Sequence, residues 1–257
     1  MREIEGVVSN EVRHKQMAEA IKRFPLIARN DFKRNGESIS IVCYGPSLEK
    51  TWPLIRGKIM SVSGAHDFLI EKGLTPTWHV DCDPRPHKAA MLNNPQKGIK
   101  YLMASCCHPD FWDKLAGYDV QLWHLINGNS GETEKWLKKN APNGFRVLIG
   151  GDSTVGQRAM NVAAFLGYKK FDMYGMDMSF KSKSNRHAGP HPNNNQPAAM
   201  VKYKGILYFT TPQMMQAIVE MKRFIKNYDV DLTFHGDGLM QAIAKEKTNE
   251  IRNRKLD

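Results

Sequence analysis

Apolar residues occur along the chain in two distinct patterns. Short apolar, β-branched runs predict strands, and segments with apolar residues at helical spacing predict helices between them. The predicted strands cover residues 38–44, 58–63, 78–81, 100–104, 120–125, 145–149, 170–174 and 231–234. The predicted helices cover residues 10–24, 48–55, 65–72, 85–92, 110–115, 132–139, 153–166 and 212–228.

The strand runs are continuously apolar rather than alternating, which is typical of strands that are covered on both faces. Repeated βα units of this kind predict an α/β fold of the Rossmann-like type: a mostly parallel, doubly wound sheet with helices on both faces and a long active-site loop. We expect a helical extension over 1–37, one domain over 38–245 and a charged tail over 246–257.

One segment, 179–204, interrupts the rhythm because it is polar and contains three prolines and a run of three asparagines. A long segment of this kind after a strand favours an active-site lid over a disordered stretch.

Composition and charge narrow the class of protein. The 257 residues are 41% hydrophobic and 25% charged, which is typical of a globular protein. No apolar run approaches the roughly 20 residues of a membrane span, and the N-terminus lacks the order of a signal peptide, so we expect a cytoplasmic protein. The four cysteines show no C-x-x-C spacing, which favours buried reduced thiols over disulfides or zinc.

The formal net charge is +11, from 37 basic and 26 acidic residues. This excess favours a polyanionic partner or phosphate-bearing substrates, although basic residues on solvated helices are the simpler interpretation. A nucleic-acid acceptor is therefore one alternative, without support from a known DNA- or RNA-binding motif. The sequence also lacks a Walker A string, a G-x-S-x-G elbow and an H-E-x-x-H motif.

Ligands of open α/β sheets bind outside the carboxyl ends of the strands, so the residues that follow each strand are the first candidates. The first two strands are followed by small residues that let a backbone approach phosphate: Gly45, Pro46, Ser47, Ser63 and Gly64. Simple helix capping by Ser47 explains the first string equally well.

Acidic and hydroxyl side chains follow later strands. Asp81 and Asp83 form a D-x-D pair that suits a divalent ion carrying a diphosphate, although Asp83 also suits a turn before proline. The string Asp152, Ser153 and Thr154 opens a helix after two glycines and is a second candidate for nucleotide binding. Asp177 closes a further strand, is expected at the mouth of the same cleft and is a candidate catalytic residue.

The predicted lid carries two histidines, His187 and His191. An imidazole on a loop beside a carboxylate-rich cleft is a candidate general base or a stabiliser of phosphate charge, because its pKa lies near neutral pH. A surface histidine without a role is the alternative for either one.

The order and spacing of these strings resemble a known family. The strings are Gly45-Pro46-Ser47-Leu48, Ser61-Val62-Ser63-Gly64-Ala65, Asp81-Cys82-Asp83-Pro84, Asp152-Ser153-Thr154-Val155-Gly156 and Tyr174-Gly175-Met176-Asp177. Together they resemble the archaeal 6-hydroxymethylpterin pyrophosphokinase (MptE-like) domain over about residues 38–191. That domain is similar to bacterial CMP-sialic acid-dependent sialyltransferases and to flagellin-modifying glycosyltransferases. Ser63 departs from the asparagine that is common in the family.

The resemblance implies two chemistries. A glycosyltransferase would move a sugar from a nucleotide-sugar donor to a hydroxyl, with a lid histidine as base and no obligatory metal. A pyrophosphokinase would move the diphosphate of ATP to a small hydroxymethyl substrate and need Mg²⁺, held by Asp81, Asp83 or Asp177. The basic composition favours glycosyl transfer to a large anionic acceptor, a polysaccharide or modified DNA. A non-catalytic basic protein that binds nucleotide or nucleic acid is the third interpretation.

Overall fold

In a computed structural model the eight predicted strands form one sheet. The structure describes residues 8–27, 35–126, 131–141, 147–151, 153–180, 182, 185–191, 197–227 and 230–245. The sheet strands are β1 (Ser38–Val42), β2 (Lys58–Val62), β3 (Trp78–Asp81), β4 (Lys100–Ala104), β5 (Asp119–Ile126), β6 (Leu148–Gly150), β7 (Lys170–Tyr174) and β10 (Asp231–His235). The strand order is β10-β7-β1-β2-β3-β4-β5-β6 and every pairing is parallel. The predicted fold class is confirmed.

Helices follow most of the strands. They are α1 (Asn10–Arg23), α2 (Leu48–Thr51), α3 (Ala65–Glu71), α4 (Pro86–Ala89), α5 (Asp110–Lys114), α6 (Gly131–Asn140), α7 (Val155–Phe165) and α8 (Pro212–Asn227). A single 3₁₀ turn, Trp52–Leu54, extends α2. No helix in the described part of the chain is long and apolar enough to cross a membrane.

Both faces of the sheet are buried. Ile39 and Ile41 of β1 belong to a large apolar cluster, whereas the adjacent Val42 belongs to a smaller cluster with Leu48 of α2 and Leu69 of α3. Because successive strand residues point to opposite faces, the two clusters lie on opposite sides of the sheet. This double coverage explains the continuous apolar pattern of the strands.

The N-terminal helix α1 packs on the large cluster. Met17 and Ala20 are buried there, and Leu26 forms a parallel bridge with Leu122 of β5. The segment that the sequence sets apart as an extension therefore shares its core with the sheet domain, where residues 8–27 are concerned.

An additional hairpin lies outside the sheet. β8 (Ala199–Tyr203) pairs antiparallel with β9 (Ile206–Thr210), so the last residues of the polar segment 179–204 are a strand rather than a loop. Its turn has positive φ at Lys204 (49°) and Gly205 (81°), as a two-residue hairpin turn requires.

The four cysteines are buried, as predicted, and each is a free thiol in the structure. Burial raises the pKa of Cys43 and Cys106 to about 12. These thiols therefore stay protonated and act as small apolar side chains.

Candidate functional site

A cleft of about 400 Å³ opens at the carboxyl ends of β1, β2, β3 and β7. The chain leaves β1 toward β2 on one side and reaches β7 on the other side only after α7. The sheet therefore has its topological switch point between β1 and β7, where ligands of doubly wound folds bind. The first turn of α7, Arg13 of α1 and residues 186–187 and 191 of the predicted lid complete the lining.

The two strand ends at the switch point lie in direct contact. Gly45 donates its N–H to the carbonyl oxygen of Gly175 over 2.9 Å. A Cβ on Gly45 would lie 2.6 Å from an oxygen of Asp177 and closer still to Gly175 O, and Gly175 has φ +61°. Glycine is required here because two backbones of the protein approach each other, which differs from the expected role of letting a ligand approach.

The carboxylate of Asp177 joins these elements. It accepts hydrogen bonds from Ser47 N (2.8 Å), Ser47 Oγ (2.5 Å) and Gln241 Nε2 (3.0 Å), and the residue is 3% exposed. Burial raises the pKa of Asp177, and the two hydrogen bonds from Ser47 oppose that rise. Asp177 lines the cleft, while Ser47 and Pro46 lie outside the lining. These contacts favour a structural role for Asp177 and Ser47.

The second predicted string divides in the same way. Ser63 lines the cleft at the end of β2 in a left-handed conformation, with φ 52°. Gly64 lies outside the lining, and a Cβ there would be 2.7 Å from the Tyr44 ring and from Met91 Cε. Gly64 is therefore needed for packing.

The loop before α7 is held by two helices. Ser153 donates its N–H and its hydroxyl to the two carboxylate oxygens of Glu220 on α8, each over 2.8 Å. Thr154 caps α7 in a capping box with Gln157. Both residues line the cleft, but the hydrogen bonds of Ser153 and the cap of Thr154 are made within the protein. The third residue of this string, Asp152, lies outside the described residues.

The D-x-D pair after β3 is built into a network with basic side chains. Arg85 binds both oxygens of Asp83, at 2.8 and 2.6 Å, and Lys88 Nζ lies 4.0 Å from Asp83. Asp81 accepts the N–H groups of Cys82 and Asp83 through one oxygen. Burial raises the pKa of Asp81 to about 6, against the field of Lys88.

This network does not fit a divalent cation. Both oxygens of Asp83 are occupied by a guanidinium group, and an ammonium group stands beside them. Within the ranges that the structure covers, no group of three or more His, Cys, Asp or Glu side chains is arranged to hold a metal. The contacts therefore give no support to the expected Mg²⁺ site on Asp81 and Asp83.

The two histidines of the predicted lid, His187 and His191, both line the cleft. Their rings stack with centroids 3.7 Å apart, and both contact the ring of Tyr44, at 6.1 Å from His187 and 6.4 Å from His191. Lys88 Nζ lies 3.4 Å from His191 Nε2. Burial, followed by the positive charge of Lys88, lowers the pKa of His191 to about 2, so this imidazole is neutral at physiological pH.

Sequence reasoning missed most of the basic residues of the cleft. They are Arg13, Arg85, Lys88, Arg158 and Arg186. Arg85 and Lys88 follow the D-x-D pair directly, and Arg158 lies one turn into α7, so proximity to strand ends could have identified these three. Arg13 reaches the cleft from α1, which no local motif indicates.

The fold and the cleft define a doubly wound α/β protein with a basic cleft at its switch point. The chain belongs to the 6-hydroxymethylpterin diphosphokinase MptE-like family, whose model matches residues 14–183. This agrees with the resemblance that the motifs predict. No curated protein matches the sequence.

Several solved structures are similar to this chain, and the following three are among them. The MAf glycosyltransferase from Magnetospirillum magneticum AMB-1 aligns with 95% of the chain at a TM-score of 0.66 and 14% identity. The alignment covers 42% of that protein, so this chain spans less than half of its length. The similarity shows a shared fold.

Two sialyltransferases align more weakly. A mammalian sialyltransferase covers 90% of this chain and 87% of its own, at 11% identity and a TM-score of 0.42. CstII from Campylobacter jejuni, solved with cytidine-5'-monophosphate, covers 80% and 82%, at 16% identity and a TM-score of 0.36. At these scores neither carries an argument about this protein.

Proposed function

We propose that this protein is a glycosyltransferase that moves a sugar from a nucleotide-sugar donor to a hydroxyl of an anionic acceptor. The observation that carries this proposal is the stacked pair His187 and His191 over a basic cleft at the switch point of the sheet. The fold shared with the MAf glycosyltransferase supports it. Gly45 and Ser63, at the ends of β1 and β2, line the part of the cleft where the nucleotide would bind.

We assign different roles to the two histidines on the basis of their contacts. Lys88 donates to Nε2 of His191, so the proton of this neutral imidazole is assigned to Nδ1, and neither nitrogen can take a proton from the acceptor. His187, which stacks on His191, is then the general base. His191 is a positioning residue that holds the ring of His187 in place.

The reaction is balanced without a metal ion. His187 takes the proton of the acceptor hydroxyl while the hydroxyl oxygen forms a bond to the anomeric carbon of the sugar. The bond between that carbon and the oxygen of the donor phosphate breaks, and its electron pair leaves with the nucleotide. Basic side chains of the cleft stabilise the negative charge that develops on the leaving phosphate.

The acceptor is proposed from charge. A net charge of +11 favours association with a polyanion, either an acidic polysaccharide or a modified DNA that carries hydroxyl groups. Such an acceptor is too large for the cleft, so only its reacting hydroxyl would enter.

Diphosphate transfer from ATP is the second candidate, because the family takes its description from a 6-hydroxymethylpterin diphosphokinase. That reaction needs Mg²⁺ between the phosphates and the protein. The occupied oxygens of Asp83 argue against it, which leaves glycosyl transfer as the better supported reaction. A protein that only binds nucleotide or nucleic acid is the third alternative, and it predicts no turnover.

Thermal unfolding with CMP, UDP, GDP and ATP, each with and without Mg²⁺, separates these candidates. We expect stabilisation by a pyrimidine or guanine nucleotide that does not depend on Mg²⁺. Stabilisation only by ATP with Mg²⁺ would contradict glycosyl transfer.

A histidine series then tests the assignment with the nucleotide-sugar that binds. We expect His187→Ala to lower kcat by about 10²- to 10⁴-fold, as loss of a general base does. His191→Ala should lower kcat less, and His108→Ala, outside the cleft lining, should leave it unchanged. Full turnover of both lid variants would exclude a histidine base.

A further inference from the structure

Arg158 is a basic side chain of the cleft, and its hydrogen-bond donors are not all paired with acceptors of the protein. Its Nη1 donates to Cys82 Sγ over 3.1 Å, and burial raises the pKa of that thiol, so the partner is uncharged. Its Nε is buried without a hydrogen-bond acceptor. Over the described part of the chain, no carboxylate lies within ion-pair distance of Arg158.

Arg13 repeats this arrangement from another element. It lies on α1, lines the same cleft, and its Nε is also buried without an acceptor. The positive charges of Arg13 and Arg158 both act on the buried thiol of Cys106, where they oppose the rise in its pKa that burial causes. The two guanidinium groups therefore converge near the ends of β3 and β4.

The acidic residues nearby do not pair with these groups. Asp83 is bound at both oxygens by Arg85, and Asp81 accepts two backbone N–H groups. A buried guanidinium without a charged partner costs stability unless something else supplies the acceptor. Planar guanidinium groups fit the paired oxygens of phosphate and carboxylate groups.

We propose that Arg13 and Arg158 form an oxyanion subsite that binds a phosphate group of a substrate. The subsite lies beside the Asp81–Asp83 network, and its donors are N–H groups of the two arginines, both of which line the cleft. Which substrate carries the phosphate rests on the proposed function: it is either the leaving diphosphate of the donor or a phosphate of the acceptor.

Calorimetric titration with inorganic pyrophosphate and orthophosphate tests the subsite without any turnover. We expect wild-type protein to bind pyrophosphate, and Arg158→Gln and Arg13→Gln each to weaken binding by about 10- to 100-fold at constant ionic strength. Arg223→Gln, on the exposed side of α8, is the matched control and should change binding by less than about twofold. No binding by the wild type, or equal binding by all variants, would overturn the proposal.

Folding does not limit this test. Circular dichroism verifies each variant, and Arg158→Lys retains the charge of α7 while removing the planar fork. If Arg158→Gln fails to fold, Arg13→Gln decides, since the side chain of Arg13 forms no hydrogen bond or ion pair with the described residues.

Nucleotides identify the source of the phosphate. If the donor carries the phosphate, cytidine, uridine or guanosine diphosphate competes with pyrophosphate for binding. The two arginine variants then bind the nucleoside diphosphate more weakly than wild type does, and they bind the unphosphorylated nucleoside equally well. If the acceptor carries it, nucleotide and pyrophosphate bind together. Pyrophosphate binding without any nucleotide binding would contradict the proposed function and leave the subsite standing, so the two failures are distinguishable.

Discussion

Two sides of the same cleft differ in how their polar groups are satisfied. At the β1–β7 junction, formed by Gly45, Ser47, Gly175 and Asp177, the donors and acceptors that line the strand ends pair with each other. On the arginine side, formed by Arg13 and Arg158, buried donors have no acceptor. Motif reasoning assigns Gly45, Ser47 and Asp177 of the junction to the site, and it assigns neither arginine. The difference is consistent with a junction that holds the shape of the cleft and with the proposed binding of phosphate on the arginine side.

The largest expected effect comes from removing the carboxylate at the junction. Asp177→Ala leaves three buried donors without their acceptor, two on Ser47 and one on Gln241. We expect the free energy of unfolding to fall by about 3–5 kcal/mol, since each unsatisfied donor costs about 1–3 kcal/mol. Urea denaturation measures the change.

Asp237→Asn is the matched control for this variant. Asp237 is exposed and pairs with Lys50 at 3.4 Å, so its loss should change stability by less than about 0.5 kcal/mol. A loss below about 1 kcal/mol for Asp177→Ala would mean that the junction does not depend on this carboxylate, and Asp177 would return as a candidate for catalysis.

The second test uses the two glycine strings. Gly45→Ala places a methyl group against backbone that cannot move away, so we expect a loss of about 2 kcal/mol. At Gly150 an added Cβ meets no atom within 4 Å, and Gly150→Ala should change stability by less than about 0.5 kcal/mol. Equal losses in thermal unfolding would show that the close approach at Gly45 has no special cost.

Local pattern was sufficient to predict the sheet because its central strands β1 to β4 are buried on both faces and are therefore rich in continuous apolar runs. It missed the β8–β9 hairpin, although Lys204-Gly205 before the apolar run 206–209 is a recognisable turn signal. The neighbouring proline and asparagine residues drew the interpretation toward a loop.

The site was only partly predictable. Strand-end reasoning brought Gly45, Asp81 and Asp177 to one edge, as the structure shows. It could not reveal that Ser47 and Asp177 satisfy each other, because 130 residues separate them. Arg13 was beyond reach for the same reason: only the packing of α1 on the shared core places it in the cleft.

A third test concerns a buried imidazole away from both sides. His124 in β5 is fully buried, and burial lowers its pKa to about 4 from an ordinary value of 6.5. Its stabilising contribution is complete above pH 6.5 and is lost as the pH falls toward 4, because the unfolded chain binds the proton first. His124→Asn should therefore reduce the slope of stability against pH in this window by up to about 1.4 kcal/mol per pH unit.

The matched variant is Ser105→Ala. It removes the 2.7 Å hydrogen bond to His124 Nδ1 but keeps the imidazole buried. Burial alone lowers the pKa of His124, so this variant should lose stability equally at pH 7.5 and pH 5 in urea denaturation. An unchanged slope for His124→Asn would place the acid sensitivity of the protein elsewhere.

The smallest expected effect is also the most informative about the arginine side. Arg13→Met preserves the length of an apolar stem and removes a buried donor that has no acceptor, so the free energy of unfolding should stay within about 1 kcal/mol of wild type or rise. On the same helix, Arg23 pairs with Glu19 and Asp113, each at 3.1 Å, and lies over the ring of Phe24. Arg23→Met should therefore lose about 0.5–1 kcal/mol.

Pyrophosphate should affect the stability of the two variants in the opposite way. A ligand that binds only the native state stabilises it in proportion to its affinity, so wild type and Arg23→Met should gain thermal stability with pyrophosphate while Arg13→Met gains less. These two measurements on one helix then identify Arg13 as a side chain that contributes to phosphate binding and not to the stability of the free protein. A buried hydrogen bond to a charged group contributes about 2 kcal/mol. If Arg13→Met destabilises the free protein by about that much or more, Arg13 has a structural role like the junction residues, and the contrast between the two sides of the cleft is wrong.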